Sequence, residues 1–154
     1  MNILFKVLNF YYRSSNLLEK LVPALDLAVR SFLANVFFKS GLTKIQTWDS
    51  TLYLFREEYQ VPLLPAEFAA YLATSAELAL PVLLVTGLFG RFAAIGLFIL
   101  NAVAAYSYYD QLSPAGLLQH LYWGMLLAIL LIHGLGKWSV DAWLEKYLGN
   151  ITAK

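Results

Sequence analysis

The chain has 154 residues, of which 60% are hydrophobic and 14% are charged, and its formal net charge is +1. Soluble domains are about 45–50% apolar and about 25% charged, so this composition excludes an ordinary soluble domain and indicates a membrane protein whose main partner is the lipid bilayer. The small net charge gives no basis for nucleic-acid binding. The absence of cysteine excludes dithiol chemistry and thiolate metal sites within the chain.

The first twenty residues mix apolar side chains with Lys6, Arg13 and Lys20. Their apolar stretch is too short to cross a bilayer, and no small-residue cleavage site follows it. We therefore interpret the segment as part of the mature protein and not as a signal peptide that is cleaved off. The mixture predicts an amphipathic helix over 1–20 that lies in the headgroup region.

Four long apolar segments follow, at about 21–38, 68–88, 92–109 and 117–135. Each is close to the roughly 20 residues that a helix needs to cross a hydrocarbon core about 30 Å thick. The sequence lacks the strict alternation of membrane strands. It therefore predicts an all-α integral membrane protein: a four-transmembrane-helix antiparallel bundle over 21–145, with a cytoplasmic tail at 146–154.

The longest connection is expected at 39–67, between the first two spans. Within it, Asp49 and Ser50 are good N-cap residues, and Pro62 marks the end of a short aromatic run. This pattern predicts a short amphipathic helix that rests on the membrane surface.

Basic residues outside the spans are distributed unevenly between the two sides of the predicted bundle. Because cytoplasmic segments are enriched in Lys and Arg, the distribution predicts that both termini lie in the cytoplasm. Seven basic residues lie on the side of the termini, namely Lys6, Arg13, Lys20, Arg91, Lys137, Lys146 and Lys154, and three lie on the other side, namely Lys39, Lys44 and Arg56.

Ionisable residues also occur inside the predicted spans, where one charge costs about 2.5–3.5 kcal/mol. Asp26 and Arg30 share a helix face because they are four residues apart, and Glu77 lies in the middle of the neighbouring span. We predict that Arg30 lies between Asp26 and Glu77, with Asn101 joining through an interhelical hydrogen bond. Such a cluster either fixes helix register or forms a polar cavity for a ligand, for protons or for a quinone head group.

No catalytic or metal site is predicted. His120 and His133 are thirteen residues apart on the fourth span, which places them on different faces and about 20 Å apart along the axis. They cannot share a metal ion, and each is interpreted as a helix-end histidine. The sequence contains no nucleophile–base set and no phosphate-binding loop.

Several motifs in fixed order carry a family resemblance. The chain contains Arg30, FFKSGLTKI at 37–45, Pro62 and Pro65, Glu77 followed by LLVTGLFGRFAA at 83–94, and GLGKWSVDAWL at 134–144. Together, over about residues 25–145, they resemble the DoxX family of small four-span membrane proteins.

The resemblance implies a bacterial inner-membrane protein that works with other membrane proteins. The family's best-characterised members are named for a subunit of a thiosulfate:quinone oxidoreductase, and others are associated with redox-stress complexes. The stretch at 48–65 is similar to a subgroup found in gene clusters that make copper-related peptides. The family's polar positions correspond here to six residues, namely Arg30, Lys44, Glu77, Arg91, Ser139 and Asp141.

Three functions remain open at this stage. The leading hypothesis is an accessory subunit of a redox or metal-homeostasis system, which binds a quinone or lipid-like ligand near Arg30 and Glu77 and is at most part of a quinone-linked oxidoreductase. The second is a small transporter or export helper, which would need a homo-oligomer. The third is a structural assembly factor whose charges set only the helix packing.

Overall fold

A computed structural model describes residues 3–59 and 61–152 of the chain. Residues 1–2 of the expected N-terminal segment and 153–154 of the expected tail lie outside the described residues. The helices are α1 (Ile3–Glu19), α2 (Val22–Gln46), α3 (Trp48–Glu57), α4 (Ala66–Thr86), α5 (Gly90–Ser107), α6 (Pro114–His133) and α7 (Val140–Thr152).

The bundle is formed by α2, α4, α5 and α6. Each of α2 and α5 packs against both α4 and α6, so the four helices form a closed ring. Four helical stretches of the described chain are long and apolar enough to cross a membrane, namely Phe5–Gln46, Ala66–Thr86, Gly90–Ser107 and Pro114–His133. The predicted all-α membrane bundle is therefore confirmed.

The core of the bundle is small and mostly aliphatic, with Phe37 as its buried aromatic residue. Its buried residues come from all four bundle helices and from the segment after α6, and small residues such as Ala93 and Ala94 bring α5 close to its neighbours. Large apolar side chains, for example Ile99, Leu121 and Ile132, are exposed on the outside of the ring. This arrangement is the one expected of helices that face lipid.

The first connection begins later than the sequence indicated. Residues 39–46, expected to belong to the loop, continue α2 to Gln46, and α3 begins at Trp48 with Thr47 at its N-cap position. Neither Asp49 nor Ser50 is the cap, because both lie inside the first turn of α3. The helix can continue within the bundle because Ser40 and Lys44 find a polar partner on α4.

The turn between α4 and α5 is tight and contains left-handed backbone. Gly87 has φ 71° and Phe89 has φ 48°, and only two residues besides Gly87 separate the helices. Glycine adopts positive φ without the steric penalty that a side chain brings.

This turn, the start of α2 and the start of α7 meet at one end of the bundle, which is called here the α7 end. The opposite end lies beside α3 and is called the α3 end.

Candidate ligand-binding site

An ion pair joins α2 to α4 inside the bundle. Lys44 Nζ lies 2.7 Å from Glu77 Oε2 and 2.8 Å from Oε1, and it also donates to Ser40 Oγ at 2.9 Å. Ser40 in turn donates to Glu77 Oε1 at 3.2 Å. Only 17% of the Lys44 side chain and 9% of the Glu77 side chain are exposed. Removal from water makes close pairing necessary, because an isolated buried charge is costly.

The backbones of α2 and α4 approach closely beside this pair. A Cβ atom at Gly41 would lie 3.0 Å from Glu77 Cβ and 3.0 Å from Leu78 Cδ2. Glycine at this position lets two membrane helices pack closely. Ser40 and Lys44, which flank Gly41 on α2, can therefore both reach the Glu77 carboxylate.

A cavity of about 360 Å³ opens beside the ion pair, between α4 and α5. Its walls are mostly apolar side chains, among them Leu80, Leu100 and Val103. Four side chains with polar groups also line it, namely those of Lys44, Tyr59, Glu77 and Ser107. Ligand pockets in proteins are typically apolar with a few fixed polar groups, and this cavity has that character.

Aromatic side chains cover the cavity at the α3 end. Phe55 and Tyr59 line it, and their rings stack with centroids 4.7 Å apart. Tyr59 also stacks on Tyr108, at 4.8 Å, and the Tyr108 hydroxyl donates to Glu58 Oε2 at 2.9 Å. Burial, together with the nearby negative charge of Glu77, raises the pKa of Tyr59 to about 12. The Glu58 hydrogen bond raises the pKa of Tyr108.

Arg30 does not contact Glu77, and the predicted arrangement of these two residues is wrong. The Arg30 side chain is fully buried at the α7 end, where Nη2 donates to the Trp138 carbonyl oxygen at 2.7 Å and Nη1 to that of Val85 at 3.4 Å. Val85 is in the last turn of α4, where carbonyl groups lack helical partners. The cation therefore caps the negative end of the α4 dipole.

Asp26 lies one turn before Arg30 on α2, near Gly136. No ion pair within 4.0 Å joins these two described side chains, and Asp26 Oδ2 is buried without a hydrogen-bond partner. Asp26 thus lies with Arg30 at the α7 end and is not part of the Lys44–Glu77 cluster.

Asp141 and Ser139 attach the C-terminal segment to the α4–α5 turn. The Asp141 carboxylate accepts hydrogen bonds from the Phe89 amide at 2.9 Å and the Gly90 amide at 2.8 Å, and its own amide donates to the Gly87 carbonyl oxygen. Ser139 Oγ accepts from the Ala142 amide at 3.2 Å and so caps the N-terminus of α7. Arg30, Ser139 and Asp141 therefore form a structural clamp, which we call the C-terminal clamp.

Asn101 forms interhelical hydrogen bonds, but its partner is His120, so the prediction that it joins the cluster of Asp26, Arg30 and Glu77 is wrong. Asn101 Nδ2 donates to the His120 carbonyl oxygen at 2.9 Å, and Asn101 Oδ1 lies 2.8 Å from His120 Nδ1. Because the carbonyl oxygen accepts only, the amide nitrogen faces it, and His120 Nδ1 must carry the proton. The pair links α5 to α6 on the far side of α5 from the cavity.

Arg91 and His133 are exposed near the α7 end. Within the described ranges, 3–59 and 61–152, no group of three or more His, Cys, Asp or Glu side chains is arranged to hold a metal ion.

Comparison with known proteins identifies the family. A family model for DoxX matches residues 25–110. The chain belongs to the DoxX family. An uncharacterized protein from Haemophilus influenzae is 35% identical over 128 residues, which cover 78% of this chain and 83% of that protein. No solved structure matches the chain.

The matched part of this DoxX protein contains Lys44, Glu77 and the cavity, whereas Ser139 and Asp141 follow it. Sequence reasoning missed Ser40 and Ser107. The spacing of four residues between Ser40 and Lys44 could have indicated the first. Nothing in the sequence marks Ser107, because its burial depends on the packing of other elements around the end of α5.

Proposed function

We propose that this DoxX protein binds a lipid-like amphiphile, such as an isoprenoid quinone, as an accessory component of a bacterial membrane redox or metal-homeostasis system. The observation that carries the proposal is the cavity between α4 and α5, with the Lys44–Glu77 pair on its wall. The apolar walls of the cavity suit the apolar tail of such a ligand, and the Lys44–Glu77 pair suits a compact polar head group.

The size of the cavity supports this assignment. Its volume of about 360 Å³ falls in the range of roughly 300–1,000 Å³ that is usual for small-molecule sites. That volume accommodates a ring-sized head or a section of an acyl chain, not a folded peptide. The aromatic side chains of Phe55 and Tyr59 give a flat surface against which a planar head group can stack.

The proposal includes a membrane orientation. With both termini in the cytoplasm of a bacterial inner membrane, as the distribution of basic residues suggests, the α3 end faces the outer side. Lys44 and the cavity then lie in the outer half of the bilayer. A ligand dissolved in the membrane can enter sideways, because the outer surface of the ring is apolar.

The test is affinity purification from native membranes in mild detergent, with mass spectrometry of the retained proteins and small molecules. We expect one amphiphile per chain in the wild type. Ala76→Trp should abolish retention, since Ala76 lines the cavity. Ala79→Trp is the matched control, because Ala79 lies one turn or less away on the exposed face of α4.

Equal retention by the wild type and Ala76→Trp would contradict the proposal, and so would a small-molecule content no higher than that of bulk membrane lipid. A stoichiometric oxidoreductase subunit among the retained proteins would support the accessory role.

The C-terminal clamp favours a purely structural role for a different set of residues. Ser139, Asp141 and both terminal nitrogens of Arg30 form hydrogen bonds with backbone groups of the chain itself, although Arg30 Nε is buried without a partner. We therefore propose that these three positions of the family pattern stabilise the fold, and that Lys44 and Glu77 serve the ligand.

A further inference from the structure

Ser107 carries a buried hydroxyl that has no partner within the described part of the chain. The residue is 4% exposed and lines the cavity, and its Oγ makes no hydrogen bond. Several other hydroxyls in or at the end of helices donate to the carbonyl oxygen four residues earlier, namely those of Ser14, Thr43, Thr47 and Thr86. Buried polar groups are normally paired. The Ser107 hydroxyl is thus available to a ligand in the cavity.

Glu77 provides the second polar contact, and its free capacity can be counted. Each carboxylate oxygen has about two acceptor positions. Oε1 accepts from Lys44 and Ser40, whereas Oε2 accepts from Lys44 alone. One acceptor position on Oε2 therefore remains.

Lys44 has no corresponding free donor. Its ammonium group carries three N–H donors, and these are directed at Ser40 Oγ and at the two oxygens of Glu77. A ligand that can only accept hydrogen bonds therefore gains no contact with Lys44. A ligand that donates one can satisfy Glu77.

The charge of the site restricts the ligand further. Lys44 and Glu77 cancel one another, and the rest of the lining is mostly apolar. A charged head group would enter this apolar cavity without a counter-ion, which is costly. A neutral polar group incurs a much smaller penalty, and hydrogen bonds can offset it.

We infer that the cavity selects a neutral, hydroxylated amphiphile, whose hydroxyl donates to Glu77 Oε2 and which has an oxygen that accepts from Ser107 Oγ. The inference rests on the proposed function and names the chemical class of its ligand. Apolar residues such as Leu80 and Val103 contact the remainder of the molecule.

Two probes that differ in a single hydroxyl test this inference on the wild-type chain. They are the decyl ester of para-hydroxybenzoic acid and decyl benzoate, which share the ester carbonyl and the alkyl chain. Affinity is measured by titration calorimetry in nanodiscs, with empty nanodiscs subtracted. Loss of a hydrogen bond to a charged group predicts about tenfold weaker binding of decyl benzoate.

The Ser107 contact is tested by substitution. Ser107→Ala should weaken binding of both probes about fivefold, as expected for one neutral hydrogen bond. Thr74→Ala is the matched control and should bind both probes like the wild type. Thr74 also has a buried hydroxyl without a partner, but it lines a separate cavity beside Trp48 and Tyr71.

The outcomes distinguish a failure of the hydroxyl selectivity from a failure of the amphiphile site itself. If both probes bind equally and Ala76→Trp still abolishes binding, the hydroxyl selectivity is overturned while the proposed amphiphile site stands. If Ser107→Ala binds like the wild type, the Ser107 contact is overturned. If neither probe binds and no amphiphile is retained from native membranes, the proposed function itself fails.

Discussion

Glu77 pairs with Lys44, and the two nitrogen–oxygen distances of 2.7 and 2.8 Å make this the principal polar contact between α2 and α4. The pair is largely buried, yet it borders a cavity. It therefore combines a stabilising contact with a surface that a ligand can reach.

Removing one member of this pair should destabilise the protein more than removing both. Lys44→Met or Glu77→Leu alone leaves a buried charge, and each should lower the free energy of unfolding by about 3 kcal/mol. The double variant should recover most of that loss. Unfolding by sodium dodecyl sulfate in mixed micelles measures the effect.

The exposed pair of Arg56 and Glu67 is the control for this cycle, since their side chains are 51% and 60% exposed. Arg56→Gln with Glu67→Gln should change stability by less than about 1 kcal/mol. Additive losses in the Lys44 and Glu77 double variant would contradict the coupling.

Asp141→Ala should loosen the turn between α4 and α5. It removes the acceptors for the Phe89 and Gly90 amides and a negative charge at the positive end of the α5 dipole. We expect a loss of about 1–2 kcal/mol, as for other helix caps, and faster hydrogen exchange at those two amides. Glu145→Ala, an exposed acid on the same helix, should leave both quantities unchanged.

Asn101→Leu should weaken the contact between α5 and α6 by about 1 kcal/mol, since interhelical hydrogen bonds in membranes average somewhat less than that each. The substitution removes both contacts to His120. Asn35→Leu is the matched control, because Asn35 is exposed on α2 and its replacement should be neutral or stabilising. Equal effects of the two substitutions would show that Asn101 contributes no specific contact.

Alkaline conditions should destabilise the protein through Tyr59. Burial raises the pKa of Tyr59 to about 12, above the value of about 10 for an unfolded tyrosine. The folded state therefore holds the proton more tightly. The resulting stability is fully present below about pH 10 and is lost as the pH rises through about 12.

Thermal unfolding between pH 9 and 12 measures this dependence. Tyr59→Phe should show a shallower fall in the unfolding midpoint than the wild type over that window. Tyr53→Phe, an exposed substitution on α3, should follow the wild-type curve. If the unfolding midpoint of Tyr59→Phe fell with pH as steeply as that of the wild type, Tyr59 would not be the cause of the alkaline destabilisation.

Much of the fold follows from the sequence because apolar length largely determines whether a helix can cross a bilayer. The error in the charge cluster arose where that rule was applied to α2. Ending the first span at residue 38 placed Arg30 at the depth of Glu77. In the structure α2 continues to Gln46, so Gly41, not Arg30, lies opposite Glu77. Helix register depends on such packing, which composition does not contain.

The C-terminal clamp can form only late in synthesis, after the helices that it stabilises have been made. Asp141 follows Gly90 by 51 residues, which at bacterial and eukaryotic synthesis rates of about 5–20 residues per second corresponds to roughly 3–10 s. During that interval α5 begins with uncapped amides while α6 is still being threaded into the membrane. A chain interrupted before residue 141 keeps its four hydrophobic helices but lacks the carboxylate that closes their central turn. Stalled or truncated products should therefore be selectively sensitive to membrane proteases.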